Sequence, residues 1–228
     1  MLYLQIIMLR WRGKIAVVTG AASGIGEAIT RGLLQNGVNV VALDIQKERL
    51  AKLNAECKQE GSRTLGTLYT ICCDINSEDD IKKAFSEVET LGGVDIMVNN
   101  AGIIKRSRII DSKGKTYEKL LDTNVLAVAV CTNKAVSSMR KRNGEGHIFT
   151  ITRYCYRHLL VWFFQTISPG SVKTNIFEHS DAMRDFFEKT GEILQPSDIA
   201  DAIIYALGTR PEVQVTHVTI QPTGESHH

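Results

Sequence analysis

The stretch TGAASGIG, from Thr19 to Gly26, decides how the rest of the sequence is interpreted. It follows an apolar, β-branched run at residues 14–20, which predicts a buried strand. It leads into residues 24–36, where apolar side chains recur at helical spacing until Gly37. A helix N-terminus presents free backbone N–H groups, so a glycine loop between a strand and a helix favours a bound phosphate. A tight glycine turn without a ligand is the alternative for this motif alone.

Strands and helices alternate along the chain. Strands are predicted at residues 14–20, 38–44, 67–74, 94–102, 147–151, 161–168 and 213–220. Helices are predicted at residues 24–36, 46–60, 116–139 and 197–207, and one more follows Ser77. Ser77 and Ser197 are the expected N-caps of their helices. This alternation predicts an α/β fold, a doubly wound parallel sheet of Rossmann type. We expect residues 1–12 to form a loosely packed extension and residues 13–228 to form a single domain.

Composition excludes several classes of protein. The 228 residues are 43% hydrophobic and 23% charged, and a net charge of +2 without a basic run argues against a nucleic-acid partner. The apolar start at residues 1–9 is too short to span a membrane, and a weak signal anchor is the alternative to an extension. Five cysteines without metal-ligand spacing predict no metal site, and indicate buried thiols in a reducing, cytoplasmic compartment.

Asp44 ends the second predicted strand, about twenty residues after the glycine loop. A carboxylate at this place accepts hydrogen bonds from an adenosine ribose and repels a 2′-phosphate. An ordinary helix N-cap is the alternative role, and one residue can serve both. Ile45 and Gln46 supply no basic group, and Arg49 is expected to face solvent. The sequence therefore favours NAD(H) over NADP(H).

Further motifs follow in a fixed order: Asp74-Ile75, NNAG at residues 99–102, Asn124 within LDTNVLA, and ISPGSVKT at residues 167–174. Together with the glycine loop they resemble the short-chain dehydrogenase/reductases, up to about residue 151 and again from about residue 166. The sequences RWRGKIAVVTG near the start and DIADAIIYALGTRPEVQVTHVTIQPTGE near the end are similar to the branch that contains insect farnesol dehydrogenases. The resemblance implies a homo-oligomeric oxidoreductase that uses a nicotinamide dinucleotide and acts on a small hydrophobic alcohol or ketone.

The resemblance also implies roles for individual residues. Asn124 would hold a water molecule in the proton relay, and a helix-kink or cap asparagine is the alternative. The apolar residues after Thr174 would form a substrate lid or, alternatively, plain core packing: Ile176, Phe177, Met183, Phe186 and Phe187. The expected cofactor-binding residues are Gly20, Ser23, Gly24, Ile25, Gly26, Asp44, Asp74, Ile75, Asn100, Ala101, Gly102, Pro169, Gly170 and Thr174.

The catalytic segment of the family has no counterpart in this sequence. The family uses a serine after the fifth strand and a tyrosine whose pKa of about 10 is lowered by a lysine four residues later. Here Arg153 stands where the serine belongs, and no Tyr-x-x-x-Lys occurs between Ile151 and Ser168. The nearest imitation, Tyr154-x-x-x-His158, comes too early after the strand, and a histidine is mostly neutral at pH 7. Asn124 is then the only surviving member of the relay.

The connection between the fifth and sixth strands is also short. A parallel crossover takes a dozen or more residues and usually includes a helix, whereas only residues 152–160 precede the sixth predicted strand. We therefore describe residues 152–165 as an aberrant connector that disrupts the fold at this point. We expect activity near background, and the alternatives are a non-catalytic dinucleotide-binding protein or an unstable product of altered splicing or gene annotation.

Overall fold

The computed structural model describes residues 8–61, 64–104, 113–152, 164–174, 176 and 193–223. Its sheet has seven strands in the order β3-β2-β1-β4-β5-β6-β7, and every pair of neighbours is parallel. The strands are β1 (Ile15–Thr19), β2 (Asn39–Asp44), β3 (Leu68–Cys72), β4 (Ile96–Asn99), β5 (His147–Ile151), β6 (Phe164–Pro169) and β7 (His217–Ile220). The predicted doubly wound α/β fold is confirmed.

Six α-helices are described: α1 (Gly24–Gln35), α2 (Lys47–Glu60), α3 (Glu78–Leu91), α4 (Gly114–Leu121), α5 (Ala127–Lys141) and α6 (Pro196–Leu207). Side chains of α1, α2 and α6 enter the core on one face of the sheet, and those of α3 and α5 enter the core on the other. Helices α1 and α6 lie close together, because a Cβ added to Gly32 would lie 3.7 Å from the Cβ of Ala200. Both sheet faces are thus covered at β1, β2 and β4.

The ends of two helices test the capping predictions. Ser77 is the N-cap of α3, and its hydroxyl accepts a hydrogen bond from Asp80 N at 3.2 Å, as its spacing predicts. At α6 the prediction of Ser197 is wrong, because Gln195 is the N-cap and Pro196 is the first helical residue. Asp198 completes this cap by accepting a hydrogen bond from the Gln195 backbone N–H at 2.7 Å.

The predicted helix over residues 116–139 is broken into three parts. A π-helical turn at Asp122–Leu126 separates α4 from α5, and Asn124 lies within it. A π-turn inserts one residue into a helix and is common at functional sites. Three apolar side chains around this turn are exposed: Leu121, Val125 and Leu126.

The start of the chain is more tightly packed than expected. Met8 and Trp11 are buried in the core, and Trp11 Nε1 donates a hydrogen bond to Leu207 O at 2.9 Å. The Trp11 ring also meets His147 edge-on, with ring centroids 5.0 Å apart. Residues 8–12 therefore belong to the folded unit, which begins before the boundary at residue 13 expected from the sequence.

Strands β5 and β6 are parallel neighbours, with Ile151 opposite Ile167. The backbone N–H of Thr152 continues the ladder by donating to Ile167 O at 3.0 Å. Among the described residues β6 spans Phe164–Pro169, which overlaps the predicted strand over 161–168 and extends one residue beyond it. Residues 153–163 of the connector lie outside the described residues.

Helices long and apolar enough to cross a membrane are absent from the described ranges.

Candidate functional site

The glycine loop between β1 and α1 leaves no room for a side chain at Gly20 or at Gly26. Gly20 and Gly24 have positive φ angles of 64° and 55°, which disfavour residues with a Cβ. A Cβ on Gly20 would lie 2.8 Å from Ala101 Cα, and one on Gly26 would collide with the carbonyl oxygen of Gly20. The glycines therefore let the loop pack closely against the end of β4 and against its own backbone.

Ser23 is the N-cap of α1, yet its side chain makes no capping hydrogen bond within the part of the chain that the structure describes. The N–H groups at the start of the helix are then available to an anion, whose charge the helix dipole favours. The contact of Ser23, Gly24, Ile25 and Gly26 with a pyrophosphate stays a prediction.

The end of β4 is hydrogen-bonded to this loop through Thr19 and Asn100. Asn100 Nδ2 donates to Thr19 O at 2.9 Å and to Gly20 O at 3.1 Å. In return, Thr19 Oγ1 accepts from Asn100 N and Ala101 N, each at 3.1 Å. The sequence predicts cofactor binding for Asn100, Ala101 and Gly102. It assigns no role to Thr19, whose only signal is its place as the first residue of the motif.

Asp44 is attached to the glycine loop as well. It is buried, with 6% of its surface exposed, and its Oδ2 accepts a hydrogen bond from Ala22 N at 3.0 Å. Its Oδ1 accepts from Gln46 N at 2.9 Å, a short turn typical of aspartate. The alternative role as a helix N-cap is wrong, because the N-cap of α2 is Gln46.

Asp74 and Ile75 lie just beyond β3, on the same edge of the sheet as Asp44, whose strand partner is Cys72. The carboxylate of Asp74 accepts hydrogen bonds from Asn76 N at 2.9 Å and from Asn76 Nδ2 at 3.2 Å. Asp74 therefore shapes the turn that leads to α3. The contact of Asp74 and Ile75 with an adenine stays a prediction.

The side-chain amide of Asn124 holds the segment after β4 through both its oxygen and its nitrogen. Its Oδ1 accepts from Ile103 N and its Nδ2 donates to Ile103 O, both at 2.9 Å. A Cβ on Gly102 would lie 3.3 Å from Asn124 Oδ1. This two-point contact favours the structural alternative for the side chain, and a role of Asn124 in binding water stays a prediction.

The segment after β6 reaches across the start of α1. Gly170 N donates to Ile220 O at 2.7 Å, which anchors the segment to β7. Thr174 then lies against the glycine loop, because a Cβ on Gly24 would be 3.1 Å from Thr174 Cγ2. Of the expected lid residues, Ile176 is exposed, whereas Phe177, Met183, Phe186 and Phe187 lie outside the described residues.

These residues lie at the carboxyl ends of β1, β4 and β6, which is where ligands bind in doubly wound sheets, and we call this place the crevice. Strand order reverses between β1 and β4, since β2 and β3 lie on one side and the later strands on the other. The glycine loop, residues 100–102 and Thr174 meet there.

A cavity of about 400 Å³ opens beside this crevice, between α1 and α2. Its wall includes Arg49, which is half-buried. The side chain of Arg49 is partly exposed, so it faces solvent only in part. The complete lining is Ala22, Ser23, Gly24, Glu27, Arg49, Lys52, Leu53 and Glu56.

Residues 14–154 match the protein family described as short chain dehydrogenase. The chain belongs to this family. Among its relatives, the farnesol dehydrogenase of Aedes aegypti is 36% identical over 251 residues, which cover 96% of this chain and 99% of the relative. Dehydrogenase/reductase SDR family member 11 of Gallus gallus is 34% identical, with 95% of this chain and 98% of the relative covered. The predicted family is confirmed.

Solved structures of short-chain dehydrogenases share the fold. A short-chain type dehydrogenase/reductase from Mycobacterium marinum superposes with a TM-score of 0.81 at 21% identity, covering 92% of this chain and 95% of that one. An alcohol dehydrogenase from the archaeon Thermococcus sibiricus, complexed with 5-hydroxy-NADP, gives a TM-score of 0.77 at 21% identity, covering 94% and 98%. At this identity the superpositions show the fold alone.

Proposed function

We propose that the chain binds a nicotinamide dinucleotide in the crevice at the glycine loop, favours NAD(H), and catalyses hydride transfer only near the background rate. The observation that carries this proposal is the pairing of a complete glycine crevice with a sequence that has no Tyr-x-x-x-Lys between Ile151 and Ser168. Family membership supports the cofactor class, and solved structures with the same fold hold 5-hydroxy-NADP, NADP or NADPH.

The preference for NAD(H) rests on Asp44. A buried carboxylate beside the glycine loop lies where an adenosine ribose is held in this kind of fold. Its negative charge disfavours a 2′-phosphate, and its oxygens retain lone pairs for the ribose hydroxyls. Ile45, which follows it, is exposed and supplies no positive charge.

The substrate class proposed for the complete catalytic form is a small hydrophobic alcohol or ketone, with farnesol as the first compound to test. The name of the Aedes aegypti relative supports this choice. Ile176, the expected lid residue that the structure describes, is apolar and exposed, which is compatible with an apolar substrate.

Low turnover follows from the missing proton donor. When a nicotinamide is bound it supplies or accepts the hydride, and the protein must move the accompanying proton. Arg153 and His158 do not reproduce the charge and spacing of a Tyr-Lys pair. The alignment with farnesol dehydrogenase extends over 251 residues, more than the 228 of this chain, which supports a deletion.

The test is a fluorescence titration with NADH, followed by a dehydrogenase assay with farnesol and NAD or NADP. We expect saturable NADH binding and a rate indistinguishable from a protein-free control. Absence of saturable binding by a folded protein would contradict the cofactor proposal. Turnover comparable to that of a complete family member would contradict the proposed loss of activity.

A matched pair of glycine substitutions locates the binding. Gly26→Ala places a Cβ against the Gly20 carbonyl, and it should abolish NADH binding. Gly144→Ala makes the same chemical change where no atom lies within 4 Å, and it should leave binding unchanged. A thermal melt of each variant separates a blocked crevice from an unfolded chain.

Poor stability is the second candidate outcome. Gln165 is buried in β6 with both amide atoms unpartnered among the described residues, and apolar side chains are exposed at the π-turn. A broad, non-cooperative melt would favour an unstable product over a dinucleotide-binding protein.

We also propose that the protein forms homo-oligomers, as the family resemblance implies, and that it is cytoplasmic. The free, exposed thiol of Cys72 is compatible with a reducing compartment.

A further inference from the structure

Two adjacent side chains of the π-helical turn at Asp122–Leu126 contact two separate segments at the carboxyl edge of the sheet. The amide of Asn124 makes two hydrogen bonds of 2.9 Å to the backbone of Ile103, in the segment after β4. The hydroxyl of Thr123 donates to Asn76 Oδ1 at 3.0 Å, in the turn after β3. One short turn of helix therefore holds both segments.

These two segments are far apart along the sheet. Strands β2 and β1 lie between β3 and β4, so three strand spacings of about 4.8 Å separate them, roughly 14 Å in all. The contacts of Thr123 and Asn124 cross this distance without involving either intervening strand. A dinucleotide bound at the glycine loop would lie along the same edge.

The side chain of Asn76 is oriented towards Thr123 by its other contacts. Its Nδ2 donates to Asp74 Oδ1 at 3.2 Å, and its backbone N–H donates to the same oxygen at 2.9 Å. The amide nitrogen is then used within the turn, and the amide oxygen accepts from Thr123. Asp74 is thus connected to the π-turn through a single intervening side chain.

The turn after β3 has local hydrogen bonds of its own. Ser77 N donates to Asp74 O at 2.9 Å, and Asp80 N donates to Ser77 Oγ at 3.2 Å. These bonds maintain the shape of the turn whether or not Thr123 contacts it. The hydrogen bond from Thr123 therefore sets where the turn lies relative to Asn124, rather than how it is folded.

We propose that Thr123 is a positioning residue for the dinucleotide. Through Asn76 it fixes the turn at Asp74 and Ile75, the expected adenine end, relative to the segment that Asn124 holds after β4. The proposal rests on dinucleotide binding at the glycine loop. A ligand that occupies both ends needs this separation to be fixed, whereas a ligand that occupies only the adenine end does not.

The experiment compares NADH with ADP, which carries the adenosine and the pyrophosphate but lacks the nicotinamide riboside. NADH fluorescence titration and displacement of NADH by ADP give both affinities for the full chain and for Thr123→Val. We expect this substitution to weaken NADH binding by about fivefold, the size of one net hydrogen bond, and ADP binding by less than about twofold.

Thr123→Val has a small structural cost of its own. Thr123 is buried, with 4% of its surface exposed, and valine fills a similar space without the hydroxyl. Asn76 is exposed, so its oxygen can accept from water once the hydroxyl is removed. Thr123→Ser keeps the donor and should restore most of the difference between NADH and ADP.

Thr30→Val is the matched control. Thr30 is fully buried in α1, and its hydroxyl has no hydrogen-bond partner within the part of the chain that the structure describes. The same chemical change at this position should alter neither affinity by more than about twofold. A thermal melt of each variant confirms that it is folded.

A double variant tests whether the effect passes through Asn76. Asn76→Ala removes the other partner of the bond, so Thr123→Val combined with Asn76→Ala should lose less NADH affinity than the product of the two single losses. Losses that multiply in full would mean that the two residues act independently, and the proposal would be wrong.

Three further results would overturn the proposal: equal losses of NADH and ADP affinity in Thr123→Val, no loss of NADH affinity, or no recovery in Thr123→Ser. Failure of ADP to displace NADH would overturn it as well, because the adenine end would then have no affinity of its own. In each of these cases NADH still binds. A folded, unmodified chain that binds neither ligand would instead contradict the proposed function itself.

Discussion

The carboxylate of Asp44 accepts a hydrogen bond from the backbone N–H of Ala22 at 3.0 Å, across 22 residues of sequence. Its other oxygen accepts from Gln46 N at 2.9 Å. One buried side chain therefore joins the end of β2, the turn into α2 and the glycine loop. Asp44 therefore fixes the position of the glycine loop through these hydrogen bonds, independently of any contact with a ligand.

Replacing Asp44 should therefore affect stability and binding together. In Asp44→Ala the buried N–H of Ala22 loses its partner, which costs about 1–3 kcal/mol in the free energy of unfolding. NADH affinity should fall because the loop is no longer held. Urea unfolding and NADH titration measure the two effects.

Asp44→Asn retains one acceptor oxygen of similar shape, so its losses should be smaller than those of Asp44→Ala. Asp201→Asn, on the exposed side of α6, is a control for the change of charge and should leave both quantities unchanged. If Asp44→Ala lost NADH affinity without any loss of stability, Asp44 would act only on the ligand.

The fold could be predicted because each strand and helix carries its own periodic pattern. Apolar runs such as residues 38–44 are buried on both faces, and their pattern depends only on neighbours in sequence. The family motifs placed the glycine loop, Asn100 and Thr174 at one edge of the sheet, and the structure brings these residues together.

Features that depend on distant contacts could not be predicted. Trp11 packs in the core and donates a hydrogen bond to Leu207 O, which lies 196 residues away. Arg49 has the spacing of an exposed helical residue, and the approach of α1 makes it part of a cavity wall. Asn124 sits in a π-turn whose register a regular helical pattern cannot show.

Gln165 should be a position where substitution stabilises the protein. Its side chain is buried in β6, with 2% of its surface exposed, and neither amide atom has a partner among the described residues. Its strand neighbour Phe149 is fully buried. Gln165→Leu removes the polar atoms at similar volume and should raise the free energy of unfolding by about 1–3 kcal/mol.

Chemical denaturation of purified protein measures this change. Gln59→Leu, on the exposed side of α2, is the matched control and should change stability by less than about 0.5 kcal/mol. A loss of stability in Gln165→Leu would mean that the amide is bonded to a part of the chain outside the described residues.

His147 should make the protein less stable in mild acid. Burial lowers its pKa from 6.5 to about 4, and the nearby charge of Arg10 acts in the same direction. Between these two pH values the unfolded chain binds a proton that the folded protein excludes. The free energy of unfolding therefore contains the full contribution of His147 above pH 6.5. As the pH falls from 6.5 towards 4, this contribution decreases by roughly 3 kcal/mol in total.

Urea unfolding at pH 7.5, 6, 5 and 4.5 measures this dependence. His147→Leu removes the titrating group, so its free energy of unfolding should fall less steeply with acid, whatever the cost of the substitution at neutral pH. His217→Gln replaces an exposed histidine and should keep the slope of the unmodified protein. Equal slopes in all three proteins would show that the pKa of His147 is the same in the folded and the unfolded protein.

Cys72 should be the reactive thiol among the cysteines that the structure describes. It is exposed at the end of β3, whereas Cys57, Cys73 and Cys131 are buried. Burial raises the pKa of Cys73 and of Cys131 to about 12, so almost none of either thiol is ionised at pH 8. Because the thiolate is the nucleophile, iodoacetamide should label Cys72 in the native protein and the buried thiols only in denaturant.

Peptide mass analysis after timed labelling of a Cys155→Ser variant gives the rate at each site, since Cys155 lies outside the described residues. Cys72→Ser should abolish the fast reaction and leave the slow ones unchanged. Similar rates at Cys72 and Cys131 in the native protein would mean that α5 separates from the sheet often enough to expose its buried face. That result would favour the unstable product over the dinucleotide-binding protein, because Cys131 packs in the same core as Ile148 of β5, next to the altered connector.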